Sequence, residues 1–343
     1  MSELDTAANL VNQRLWYDLC IYIENNARKS PTQCYEILKQ YVLPNFQRIH
    51  PVTFCDTVLL LANLMEPQKS YDLVKQSLEL LSKLDVQTKH YNVIKLRYEL
   101  KIFENLVYLK KTENVERFIY QSKNKIMEPE MYVYFYRLAY RYYEVIENYE
   151  ECFVYLEKYV NLCHVVPDDS FTDSKELLAY KFVQFSVLSR KIYNFTGIRI
   201  NNIYQHFKEQ NMSIVFDKIC AGDFNYILNN QDMVNNIFPG NFNLIKEKAF
   251  LVALSNICFD IRNKEIKIIE ITEKLKVSRN TVFYFIVRAM GLELIKGTID
   301  GQNDVLRLSY VKPRILTLDE TKSLKDYIDS WRMRVKETIM LMS

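Results

Sequence analysis

The sequence predicts a mainly α protein: an α-solenoid of helix pairs, then a helix–turn–helix with a two-stranded wing, then a long C-terminal helix. Three observations carry this. Apolar residues recur near every 3.6 positions from Leu4 to about Phe195, without strand-like alternation between turn signals. Glycine is scarce, six in 343 residues and none before Gly197. It supplies the positive-φ positions of tight turns and phosphate loops, so a Rossmann domain, a P-loop domain and a hairpin-rich sandwich are all disfavoured. Finally, period-two alternation is concentrated between about residues 294 and 310, around a single Asp-Gly turn.

Composition bounds the rest. Lys and Arg number 45 against 42 Asp and Glu, a net charge of +3, and apolar residues make up 49%. These are globular values, and they disfavour a highly basic nucleic-acid coat or an acidic tail. The strongest apolar runs, near Val58–Leu61 and Ala249–Leu254, fall far short of the roughly 20 residues that cross a bilayer. Met1–Ala7 has no basic stretch leading into an apolar one, so no signal peptide is expected. The cysteines are Cys20, Cys34, Cys55, Cys152, Cys163, Cys220 and Cys258, an odd number with no CxxC spacing. Free thiols in a reducing compartment are expected, rather than disulfides or a zinc site.

In chain order, Ser30-Pro31-Thr32-Gln33 marks a helix start, with Ser30 as cap and Pro31 in the first turn. Pro51, Pro67 and Pro129 open or separate further helices. Helix pairs can be drawn around residues 31–66, 68–110 and 112–147. Met131, Tyr134, Phe135, Leu138, Tyr142 and Val145 form one stripe, and Cys152, Leu156, Tyr159, Val160 and Cys163 form the next, with a break near Asn148. The dense tyrosines between Tyr132 and Tyr143 repeat at core spacing without a matching arginine row. They are expected to fill the core with their hydroxyls at the surface, not to stack on bases. Val166–Ser170 reads as a linker. Two helices are expected between Asn201 and Asn230, broken at Ala221-Gly222-Asp223. A turn at Pro239-Gly240 and a helix from Leu244 to Ile261 follow.

From residue 266 the pattern changes. Ile268, Ile269, Ile271 and Leu275 make a short amphipathic helix. Lys276-Val277-Ser278 is a turn with Ser278 placed to cap a second helix, Arg279 to Met290, which Gly291 stops. Leu294–Ile299 and Val305–Tyr310 read as strands around an Asp300–Asn303 hairpin turn. This order is that of a winged helix. Over residues 264–312 nine cations face six carboxylates, and the second helix offers only Arg279, Arg288 and Asn280 beside Val282, Phe283, Tyr284, Phe285, Ile286 and Val287. Groove-reading helices present several Arg, Lys, Asn or Gln side chains, so protein contact is favoured over nucleic acid. The last helix, Leu318 to Met340, carries Leu324, Ile328, Trp331 and Val335 at spacings of four and three, widened by Tyr327 and Ile339. At 1.5 Å per residue it is about 35 Å long. Such a stripe needs a surface to bury it, and partner helices are a good candidate.

A helical solenoid running into a winged helix and a terminal helix resembles the PCI family, the scaffold subunits of the proteasome lid, the COP9 signalosome and a translation initiation factor. The resemblance is carried by Val277–Val282, Val287–Leu292, Leu294–Asp300 and Val311-Lys312-Pro313-Arg314-Ile315-Leu316, followed by Leu324-Lys325-Asp326 and the Trp331 helix. It covers about residues 244–340 specifically, Asp217–Leu228 more weakly, and the first 200 residues only in architecture. It divides the chain into a helical arm (1–196), a PCI domain (197–313, with the winged helix at about 263–313) and the C-terminal helix (314–343).

The resemblance, closest to a lid subunit, implies a non-catalytic scaffold of the proteasome regulatory particle in cytoplasm and nucleus. Its partners would be other PCI subunits and the metalloprotease-fold pair of the lid, with a ubiquitin-receptor subunit a further candidate. Neighbouring winged helices would join through wing edges, for which Val305, Leu306, Arg307, Leu308, Ser309 and Tyr310 are the expected strand. Leu324, Tyr327, Ile328, Trp331, Val335 and Ile339 would enter a helical bundle. The alternatives are a scaffold of another PCI complex and a nucleic-acid-binding winged helix. No cofactor or metal is expected. His50, His90, His164 and His206 are scattered, no Gly-Lys dipeptide exists, and Cys163-His164 are helix neighbours that point about 100° apart. Glu150-Glu151 and Asp168-Asp169 are expected to be solvated loops.

Overall fold

The computed structural model describes residues 3–83, 89–124, 129–162, 173–259, 264–312 and 318–342. The chain forms two compact units, Met1–Ser174 and Lys175–Ser343. Helix dominates both.

The first unit is a succession of packed helices: α1 (Glu3–Asn12), α2 (Trp16–Asn26), α3 (Pro31–Ile37), α4 (Pro51–Leu64), α5 (Pro67–Leu81), α6 (Lys89–Tyr108), α7 (Val115–Lys123), α8 (Pro129–Val145) and α9 (Tyr149–Leu162). Between α3 and α4 the backbone passes through a π turn, Leu38–Val42, and a 3-10 turn, Leu43–Arg48. Pro31, Pro51, Pro67 and Pro129 each stand first in a helix, where the missing N–H costs nothing. Ser30 occupies the cap position without a side-chain cap bond, so Pro31 is the feature that marks this start.

Of the α8 tyrosines, Tyr140, Tyr142 and Tyr143 are buried while Tyr132, Tyr134 and Tyr136 are half-buried, and Val145 at the end of the expected stripe is exposed; two further details differ from expectation. Tyr140 is fully buried, and its hydroxyl donates to Asp173 at 2.7 Å instead of reaching water. An arginine row does accompany the rings: Arg97 and Arg137 lie 5.5 and 5.3 Å from the Tyr134 centroid, and Arg141 lies 4.8 Å from that of Tyr108. The cations are spread over α6 and α8, so one-helix periodicity does not reveal them. Between α8 and α9, Tyr143 stacks on Tyr155 at 5.5 Å and Phe135 meets Tyr155 edge-on at 6.1 Å. Glu150 and Glu151 sit in the first turn of α9, not in a loop, where carboxylates complement the helix dipole. Cys163, His164 and Val166–Ser170, including Asp168 and Asp169, lie outside the described residues.

The second unit begins with α10 (Lys175–Leu188), α11 (Thr196–Ile200), a 3-10 turn (Asn202–His206), α12 (Gln210–Ala221), α13 (Phe224–Asn229), α14 (Gln231–Ile237) and α15 (Phe242–Phe259). The break at residues 221–223 follows from cap chemistry. Gly222 is left-handed at φ +71°, and Asp223 accepts from the Tyr226 amide at 3.1 Å. The α10 end is held from α15. Buried Lys248 donates to the carbonyls of Ser186, Val187 and Ser189 at 2.8, 2.8 and 2.6 Å. These carbonyls lie at and just beyond the helix end, where intrahelical donors run out. Lys248 is one of two lysines in α15, two residues after Lys246, and nothing in the sequence singles it out for that role.

The winged helix follows: β1 (Glu265–Lys267), α16 (Ile268–Leu275), α17 (Arg279–Gly291), β2 (Ile295–Asp300) and β3 (Val305–Val311). Phe250 of α15 stacks on Phe285 of α17 at 4.0 Å and meets Phe224 edge-on at 5.0 Å, which fixes the orientation of α17. Ser278 caps α17 by accepting from the Thr281 amide at 3.3 Å. The chain closes with α18 (Leu318–Met342).

Candidate functional site

The wing is a three-stranded antiparallel sheet of order β1-β3-β2. That corrects one expectation. Val305–Tyr310 is not an edge strand: β3 is central, with β1 on one side and β2 on the other. Glu265, Ile266 and Lys267 pair with Arg307, Leu306 and Val305, and the Leu308 amide donates to the Lys264 carbonyl at 2.7 Å. Three residues of strand, Glu-Ile-Lys, are too short for alternation to register, so the sequence pattern merges them with α16.

The edge that remains on the long side of the sheet is β2, which has one hydrogen-bonded neighbour among the described strands. Its register carries a bulge: Lys296 faces Tyr310 and Gly297 faces Leu308, leaving Ser309 over. Gly297 is required there, because a Cβ would lie 2.1 Å from the Arg307 carbonyl oxygen. Leu306 and Leu308 point into the core, while Arg307, Ser309 and Tyr310 are exposed. Arg307 bonds Glu265 at 3.0 Å and approaches Asp300 at 3.5 Å across the strands.

Both cations of α17 are paired within the chain. Arg279 grips Asp304 with two nitrogens, at 2.9 and 2.5 Å, and lies over the Phe283 ring. Arg288 donates to Glu247 at 2.9 Å. Beside the exposed Arg279, Asn280 and Arg288, α17 presents Tyr284 and Val287, each 61% exposed, which border a cavity of about 330 Å³ with Arg288, Gly291 and Leu292.

On α18 the expected residues share one face, and all are exposed. Leu324, Tyr327, Ile328, Val335 and Ile339 stand in solvent, and Trp331 is 57% exposed. Every described side chain of α18 is exposed. The apolar surface extends further than the stripe indicates, through Met333, Met340 and Leu341. Single surface apolar residues are ordinary, but on this 25-residue helix they form one exposed, tryptophan-centred stripe.

Six of the seven cysteines lie among the described residues. Cys20, Cys34, Cys55, Cys152 and Cys258 are buried and Cys220 is half-buried. Burial pushes Cys55, Cys220 and Cys258 up to about 12, so none is a thiolate at neutral pH. Among the described residues no three His, Cys, Asp or Glu side chains are grouped to hold a metal.

No protein-family model matches the chain. It is 24% identical over 226 residues to the 26S proteasome non-ATPase regulatory subunit 13 homolog B of Arabidopsis thaliana, covering 62% of this chain and 58% of the relative. It is 25% identical over 191 residues to the 26S proteasome regulatory subunit RPN9 of Saccharomyces cerevisiae, covering 53% and 49%. A Dictyostelium discoideum 26S proteasome non-ATPase regulatory subunit 13 is 22% identical over 226 residues, covering 62% and 57%. The chain is a distant relative of these proteasome regulatory subunits. It spans between half and three-fifths of the length of the curated relatives it matches. No helix among the described residues is long and apolar enough to cross a membrane.

Proposed function

We propose that this chain is a non-catalytic structural subunit of the proteasome regulatory-particle lid, acting in cytoplasm and nucleus in support of ubiquitin-dependent degradation. The observation that carries the proposal is α18, a long helix whose tryptophan-centred face is uncovered, in a chain whose curated relatives are proteasome regulatory subunits. The mechanism is geometric. A helical arm (1–196) presents a PCI domain (197–313), and the terminal helix (314–343) supplies the stripe Leu324, Tyr327, Ile328, Trp331, Val335 and Ile339 to a bundle of partner helices. The winged helix meets a neighbouring PCI subunit through the wing, with the free side of β2 as the docking edge and the exposed Arg307, Ser309 and Tyr310 beside it. Partners are other lid PCI subunits and the metalloprotease-fold pair, with a ubiquitin-receptor subunit a further candidate.

The test is affinity capture of the tagged full chain from its own cells, with mass spectrometry, beside a version ending at Leu316. Proteasome subunits recovered with the full chain and lost with the shortened one support the proposal. Recovery of a signalosome, an initiation factor or nucleic acid overturns it.

A further inference from the structure

A cluster of buried charge lies on α6 and α8, far in sequence from the winged helix. Glu104 is its centre. Its carboxylate accepts from Lys101 Nζ at 2.9 Å, Arg137 Nη2 at 3.1 Å and Arg141 Nη1 at 2.5 Å. Arg141 Nη2 reaches one oxygen of Asp173 at 2.5 Å, and the Tyr140 hydroxyl donates to the other at 2.7 Å. Both carboxylates are therefore fully used. Three cations face two anions among the described residues of this cluster, which leaves one positive charge in surplus. Uncompensated buried charge is costly, so the surplus favours an added anion.

The surplus borders a space. A cavity of about 270 Å³ opens to solvent and is lined by Asn63, Lys101, Asn105, Tyr108 and Arg141, and also by Asp173, whose carboxylate is held by Arg141 and Tyr140. The Lys101 ammonium has three protons to donate, and Glu104 is its one hydrogen-bond partner among the described residues. Burial lowers the Lys101 pKa. Glu104 opposes that, while Arg137 and Arg141 add to it. Asn63 supplies a second signal: its Oδ1 is buried without a hydrogen-bond partner. The Asn105 amide, by contrast, is committed to Ser70 at 2.9 Å.

We propose that this cavity binds a small protonated oxyanion, of which hydrogen phosphate is the simplest. Lys101 and the edge of Arg141 meet its charged oxygens, and the Asn63 side chain, whose Oδ1 is closed off from solvent, turns so that Oδ1 accepts from its hydroxyl. An unprotonated oxyanion of similar size, such as sulfate, satisfies the cations but leaves Asn63 facing a lone pair.

The test is isothermal titration of the full chain with inorganic phosphate and, separately, with sulfate, at neutral pH and fixed ionic strength. The expected result is saturable one-site binding in the millimolar range or tighter, with phosphate preferred over sulfate. Lys101→Met should weaken phosphate binding about tenfold or more, the loss of one charge-assisted hydrogen bond. Asn63→Leu, half-buried at the end of α4, should bring phosphate down to the level of sulfate. It also carries the test if Lys101→Met loses its helical circular dichroism. The absence of saturable phosphate binding, sulfate bound as tightly as phosphate, or phosphate binding unchanged in a folded variant each overturns the proposal.

Discussion

Helices α8 and α18 look alike as patterns and differ completely as surfaces. Each carries aromatic and aliphatic residues at spacings of three and four. On α8 the pattern is covered on nearly every side: Met131, Phe135, Leu138, Tyr140, Tyr142 and Tyr143 are buried, and so is Arg137. On α18 nothing described is covered. Periodicity therefore states that a face must be buried, not where its cover is. The cover of α8 comes from α6 and α9 in the same unit, and it brings charge with it. No such cover lies over the described side chains of α18.

The largest break in this comparison is at Glu104. Glu104→Gln leaves Lys101, Arg137 and Arg141 around a neutral amide. Removing one partner of a buried ionic cluster costs about 3–5 kcal/mol. Urea unfolding followed by circular dichroism measures it, and a loss under about 1 kcal/mol would mean that water rather than Glu104 carries the charge of these cations. The same residue sets an acid limb. Burial alone raises its pKa, but Arg137, Lys101 and Arg141 together outweigh burial and hold it well below its ordinary 4.5. A depressed carboxylate contributes stability that is complete above the unfolded value and is lost as pH falls below it. The urea midpoint of the wild type should drop from about pH 5 downward, and Glu104→Gln should flatten that drop. Equal slopes would remove Glu104 as its cause. Tyr140→Phe is the milder probe of the cluster. It deletes the hydroxyl bond to Asp173 and should cost about 1–3 kcal/mol, since Asp173 loses a buried donor.

The contrast also marks what was legible in the sequence. Helix starts at Pro31, Pro51, Pro67 and Pro129, the cap at Ser278 and the break at Ala221-Gly222-Asp223 were readable because each rests on local backbone chemistry, whereas Gly291, the expected stop, is the last residue of α17 and not a left-handed cap. The α18 stripe was readable because it is local to one helix. The order of the wing was not, because Glu265–Lys267 reveals itself as a strand only through its pairing with Val305–Arg307. The arginine row was missed for a related reason: Arg97 sits on α6, while Arg137 and Arg141 sit on α8. Lys248 is the same lesson in miniature, since its three acceptors lie about 60 residues earlier in the chain.

The smallest expected effect on folding sharpens the comparison most. Trp331→Ala removes a ring that is 57% exposed, on a helix whose described side chains are all exposed. For the isolated chain, stability should change by no more than about 0.5 kcal/mol, as for ordinary surface substitutions. In assembly the same ring is the natural anchor of the stripe, and truncating an anchor of this kind costs about 2 kcal/mol or more, roughly thirtyfold in affinity. The two readouts belong in one experiment: urea unfolding of the purified variant beside recovery of partner subunits in affinity capture. Unchanged unfolding with lost capture places the cover of α18 in a partner. Lost stability with unchanged capture places it within this chain, and α18 would then differ from α8 only in degree.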